Sequence, residues 1–145
     1  MSFRDRMFSP ARFGPDVLRL VLCSLVFTHG AYRFYDGSLP ILGKLLEESG
    51  FPAGAGYFLA WCVNLAETGG AVLLAGGVLV WPLSLVFTLI YFTGIMIFHR
   101  HSGFFVVGPG SGGWEYSALL ITGFVVVAWD NRSNRYWPVR KGTGA

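Results

Sequence analysis

Four stretches of the chain, 17–36, 56–80, 82–99 and 114–130, are predominantly apolar and each comes close to the length needed to cross a bilayer. A hydrocarbon core of about 30 Å takes roughly 20 residues of helix at about 1.5 Å per residue. Because backbone in lipid must satisfy its own hydrogen bonds, such stretches fold as helices. The expected fold is therefore all-α: an integral membrane four-helix bundle forming a single domain over residues 1–145. With 53% hydrophobic and only 13% charged residues, and a mean hydropathy of +0.53, the chain is too apolar for an ordinary soluble domain of its length.

The charges set an orientation. Arg4, Arg6 and Arg12 precede the first span, and Arg132, Arg135, Arg140 and Lys141 follow the last, whereas the loops 37–55 and 100–113 hold only Lys44 and Arg100 as basic residues. By the positive-inside rule both termini and the turn at Trp81-Pro82 face the cytoplasm, and the two longer loops face outward. The net charge of +3 thus belongs beside anionic lipid, and no nucleic-acid partner is expected. Arg19, His29 and Arg33 interrupt the first apolar run and no small-x-small cleavage site follows it, so it reads as a retained helix. Cys23 and Cys62 both fall in spans without a C-x-x-C pattern, which fits packing residues and neither a disulfide framework nor a zinc site.

The loops have their own signals. After the turn Gly37-Ser38-Leu39-Pro40, residues Ile41, Leu42, Leu45 and Leu46 share one helical face and Lys44, Glu47 and Glu48 the other. This predicts a short amphipathic helix in the first outer loop, lying on the membrane surface and ending at Ser49-Gly50. The second outer loop, rich in aromatics and glycine, is too apolar to stand in water and should fold back onto the bundle. Its run Gly108-Pro109-Gly110-Ser111-Gly112-Gly113 lacks the lysine of a phosphate-binding loop. Trp114 and Trp129 bracket the last span about 22 Å apart, as interfacial indoles do.

Polar residues inside the spans are the candidates for chemistry, since a charge at the bilayer centre costs about 2.5–3.5 kcal/mol and must face protein. In the first span Arg19, Leu22, Val26, His29, Arg33 and Asp36 follow at spacings of three and four and form one stripe. The second span offers Glu67, flanked by the small residues Ala66, Gly70 and Gly77 that allow close helix contact. Counting rises from the span ends predicts an intramembrane ion pair between Arg19 and Glu67, which could equally serve only to fix helix register. A second group, His29, Arg33, Tyr91, His99, His101 and Glu115, is predicted to surround an outward-facing polar pocket. Histidine there could pass protons to a redox carrier, and tyrosine could hydrogen-bond a carbonyl in an apolar slot. The plainer reading makes His99, Arg100 and His101 interfacial anchors, and Glu115 an acid in a first helical turn. A bare pair, His29 and His99, does not argue for haem, and no metal site is expected.

Several short motifs in order, Arg19 in the first span, His29-Gly30 followed by a basic residue, Gly50-Phe51-Pro52, Glu67-x-Gly-Gly, and His101-x-Gly-Phe-Phe leading to Gly113-Trp114-Glu115-Tyr116, make the chain resemble the DoxX family of small four-helix membrane proteins. The resemblance runs from about Asp16 to Trp129. It departs in having Arg33 where lysine is common, and Trp114 as the aromatic before Glu115. It implies a multi-pass protein of the bacterial cytoplasmic (inner) membrane, with Arg19, His29 and Glu67 at recurrent polar positions. It also implies function of limited definition, since some members resemble quinone-reducing partners in sulfur-compound oxidation and others are linked to oxidative-stress complexes.

The leading expectation is a quinone-linked redox subunit, with a quinone head near His29, Tyr91 and His99 and electrons from a redox partner protein docked on the outer loops. The rival is a non-catalytic membrane scaffold or assembly factor. A third reading is a small-solute or proton carrier using Glu67 and the first-span stripe. The glycine faces suit packing within one chain or in a homo-oligomer, and the lipid bilayer is a partner in every case.

Overall fold

A computed structural model describes residues 13–99, 102–107 and 112–131, and the described residues contain helices and no strands. The elements are α1 (Phe13–Asp36), α2 (Leu39–Glu48), α3 (Ala55–Ala75), α4 (Val80–His99) and α5 (Glu115–Asn131). Three of them, α1, α3 and α4, are long and apolar enough to cross a membrane. The fifth, of 17 residues, packs along α4 and against α1. Around the molecule the order is α1, α3, α4, α5, with α5 returning to α1.

One end of the molecule, the turn end, carries the tight reversal between α3 and α4. Leucines and small residues run α3 to Ala75, and there Gly76-Gly77 stops it. Gly77 takes a left-handed φ of 74°, with Gly77 N–H donating to Leu74 O at 3.0 Å and Val78 N–H to Leu73 O at 2.9 Å. These two bonds are the Schellman pattern, which satisfies carbonyls that a helix end leaves open. Hence the second span ends at 75 and not 80, and Gly77 belongs to the turn and not to a packing face. The reversal precedes Trp81-Pro82: proline is tolerated within the first turn of α4, whose N–H groups lack helical acceptors anyway.

The interior at this end is close-packed. Leu22 and Val26 of α1, Leu74 of α3, Phe87 of α4 and Leu120 and Phe124 of α5 are all buried, and the rings of Phe87 and Phe124 stack with centroids 4.9 Å apart. Gly123 makes room for α1, since a Cβ there would lie 2.8 Å from Leu22 Cδ1. Interdigitation of this kind supplies the dispersion energy that holds helices together where lipid is as apolar as leucine.

The opposite end is built on the α2–α3 hairpin. The apolar face of α2 meets α3, with Leu39, Gly43 and Leu46 buried, so α2 does not lie alone on a membrane surface. Two glycines explain why. A Cβ at Gly43 would sit 2.9 Å from Tyr57 Cα, and one at Gly56 would collide with the Gly43 carbonyl. Glu47 completes the hairpin by accepting from Gly54 N–H at 2.8 Å and Gly56 N–H at 3.1 Å, a carboxylate at the positive end of α3.

Candidate functional site

The close approach of α1 and α3 is made by Gly30. A Cβ there would stand 2.9 Å from Glu67 Cβ and 3.0 Å from Thr68 Cγ2, so the two backbones meet at this level. Glu67 lies in a π-helical turn, Ala66–Gly70, that interrupts α3. Such a turn inserts one residue and rotates the rest of the helix about its axis. The Thr68 hydroxyl donates to the Asn64 carbonyl at 2.8 Å where the helical bonding changes register. A second π-helical turn, Ile95–His99, ends α4.

At the Gly30 level the Glu67 side chain is 1% exposed and carries two partners, Arg33 Nη1 on Oε2 and the Tyr91 hydroxyl on Oε1 at 3.2 Å. Arg33 Nη1 also donates to Asn64 Oδ1 at 3.3 Å. The expected pairing of Glu67 with Arg19 does not occur. Arg19 sits 3.3 Å from Asp16, one turn before it on α1, and Gly30, not Arg19, lies level with Glu67. Eleven residues separate Arg19 from Gly30, about 16 Å along the axis, which is more than an arginine side chain reaches.

A cavity of about 590 Å³ opens beside this polar group. Of the residues expected around a pocket, His29, Arg33, Tyr91 and His99 line it, together with Glu67, Tyr116 and Ser117. Glu115 does not. Its carboxylate accepts Val106 N–H at 3.0 Å and so fastens the loop between α4 and α5. His101 and Arg100 lie outside the described residues. His99 Nδ1 is 2.8 Å from the Gly112 carbonyl, tying the end of α4 to that loop. The loop folds back as its aromatic content implied: Gly113 N–H donates to Phe105 O at 3.0 Å, Phe104 meets Trp114 edge-on at 4.8 Å, and Val106, Gly112 and Gly113 line the cavity. The remaining walls are apolar side chains of α2, α3 and α4, among them Leu42, Leu46, Leu59, Val63, Ile90 and Ile97.

Glu67 thus joins the two groups that the sequence kept apart. The usable signal was Gly30, a small residue three positions before Arg33 in the polar stripe of α1, where α3 can come closest. Tyr116 carried no such signal. Chemically, the site offers a hydroxyl, a guanidinium and a carboxylate at one end of an apolar space, with imidazoles at its rim. Those are groups that orient a carbonyl and exchange protons with it.

Comparison with known proteins bears on the same stretch of chain. No curated protein and no solved structure matches it. The DoxX family model matches residues 14–100, more than half of the 145, and covers α1 to α4 with the Arg33–Glu67–Tyr91 group inside it. The chain is a membrane protein that belongs to the DoxX family.

Proposed function

We propose that this protein is the membrane subunit of a quinone-linked redox system, and that the cavity receives the quinone head. One observation carries the reading: a buried Arg33–Glu67–Tyr91 group closes one end of a largely apolar cavity of about 590 Å³. That volume lies in the range of small-molecule sites, roughly 300–1,000 Å³. A pure scaffold needs no such space. In this reading α5 is a fourth span, about 25 Å long. The basic tails hold both termini in the cytoplasm, so the α2 end faces outward across the bacterial inner membrane.

The residues fit a quinone by their chemistry. A bound quinone supplies a carrier that takes two electrons and two protons, the electrons coming from a reduced partner protein docked at the outward end. Arg33 donates toward a carbonyl through guanidinium N–H groups beyond Nη1, and the Tyr91 hydroxyl, whose proton is on Glu67, offers its oxygen to the hydroxyl of the reduced form. Glu67 holds both donors in place through its two oxygens, and is itself a proton acceptor within reach of the cavity. His29 lines the same cavity and offers an imidazole that can exchange protons with the ligand.

Solvent extraction and mass spectrometry of the protein purified in mild detergent, against an unrelated four-helix membrane protein, test this. The expected result is about one quinone per chain, lost in folded Tyr91→Phe and His29→Ala proteins. Quinone no higher than in the control would overturn the reading and leave the scaffold.

A further inference from the structure

The cavity's walls are unequal. At the turn end α3 and α4 touch: a Cβ on Gly70 would lie 3.5 Å from Leu83 Cδ2 and 3.6 Å from Phe87 Cζ. Beyond the π-helical turn the helices part, Ala55–Leu65 packing chiefly on α2 and α1. They are joined again where Ile97 and Phe98 reach the Leu39, Leu46 and Ala60 cluster. Between these closures Leu59 and Val63 face Ile90 and Thr93 across the cavity.

The lining follows α4 outward from there. Tyr91 stacks against Phe124 in the interior, yet Leu89, two residues away and so about 200° round the helix, also lines the cavity. Leu89 is 64% exposed. It stands midway along Val80–His99, about 14 Å from either end, a depth that belongs to the hydrocarbon and not to the headgroups.

We infer that the cavity opens sideways into the hydrocarbon through a window between α3 and α4 edged by Leu89, and that its ligand is a lipid-dissolved quinone whose isoprenoid tail lies in that window. The inference rests on the reading of the cavity as a quinone site. A polar head entering from the membrane passes apolar Leu89, Ile90 and Val63 before it reaches Arg33, Glu67 and Tyr91, so this path selects a molecule already dissolved in the membrane. A head group without a tail has no such constraint and gains nothing from the window.

The test uses the full chain in phosphatidylcholine nanodiscs. Loading is followed by mass spectrometry for a benzoquinone with a polyisoprenoid tail and for the same head group without one. Leu89→Trp, which spans the window from a position too exposed to disturb packing, should slow loading of the tailed quinone at least tenfold and change the untailed one less than twofold. Phe92→Trp, on the exposed face away from the cavity, should change neither. Equal slowing of both ligands by Leu89→Trp, or no slowing of the tailed one, would overturn the lateral window. A wild-type protein that loads neither quinone, or retains only phosphatidylcholine, would overturn the quinone reading itself.

Discussion

The two ends of the molecule are built from the same helices and comparably apolar sequence, but they pack in opposite ways. At the turn end Leu22, Leu74, Phe87, Leu120 and Phe124 fill the space between four helices. At the hairpin end the close contacts are displaced to the periphery, where Gly43 meets Gly56 and Gly30 meets Glu67, and the middle is left as a cavity. Hydropathy does not distinguish these ends. What does is where small residues permit close approach and where a π-helical turn lets adjacent helices part.

The largest test of that contrast is the buried pair. Glu67→Ala leaves the Arg33 guanidinium without its carboxylate at the helix interface, and removal of one partner of a buried pair costs about 3–5 kcal/mol. Unfolding of the detergent-solubilised protein by a denaturing surfactant should register it. The double variant Arg33→Met/Glu67→Leu should recover much of the loss, because it buries no charge. Arg19→Met combined with Glu67→Ala should be additive to within about 0.5 kcal/mol, since the two positions are distant along the bundle axis. Strong coupling between Arg19 and Glu67 would contradict the register of α1 against α3.

Next in size is one substitution made at both ends. Leu74→Ala deletes a side chain enclosed on all sides and should cost about 2–5 kcal/mol. Leu59→Ala only enlarges a space that already exists, so its cost should stay below about 1.5 kcal/mol. Similar losses at both positions in the same unfolding assay would mean that the cavity is closed in the folded protein.

These differences mark what the sequence could disclose. The all-helical class, the amphipathic α2 and the folding back of the loop before α5 were legible because hydropathy and periodicity carry them. The limits of α3 were not, because Gly76-Gly77 reads equally as a packing motif or as a helix stop, and only the backbone bonds of the turn decide. Four of the six residues expected around a pocket, His29, Arg33, Tyr91 and His99, line the cavity, since all lie in the hairpin-end halves of α1 and α4. The place of Glu67 was not legible: its partner depends on the axial offset of α1 against α3, which Gly30 sets and periodicity within one helix does not contain.

A smaller effect separates function from stability at the cavity. Tyr91→Phe removes the hydroxyl that donates to Glu67 and should cost about 1.5–3 kcal/mol, the net worth of a hydrogen bond to a charged group. Ligand retention should fall much further, by the tenfold or more that loss of a head-group hydrogen-bond partner brings in a largely apolar site. Equal proportional losses would assign Tyr91 to packing alone.

The smallest effect has the opposite sign. Gly94 lines the cavity on α4, and a Cβ built there meets nothing within 4 Å, whereas at Gly30 a Cβ would strike Glu67 and Thr68. Gly94→Ala should therefore stabilise the fold by up to about 1 kcal/mol, through the backbone freedom that glycine gives the unfolded chain. Gly30→Ala should destabilise it, by forcing α1 away from α3 at the level of the ion pair. The methyl group of Gly94→Ala also projects into the space a ligand would fill, so greater resistance to thermal unfolding should accompany weaker ligand retention. An alanine that stabilised the protein and left retention unchanged would move the ligand away from α4 and toward α1. The expected trade sets open space beside α4 against a firmer helix, and binding needs the space.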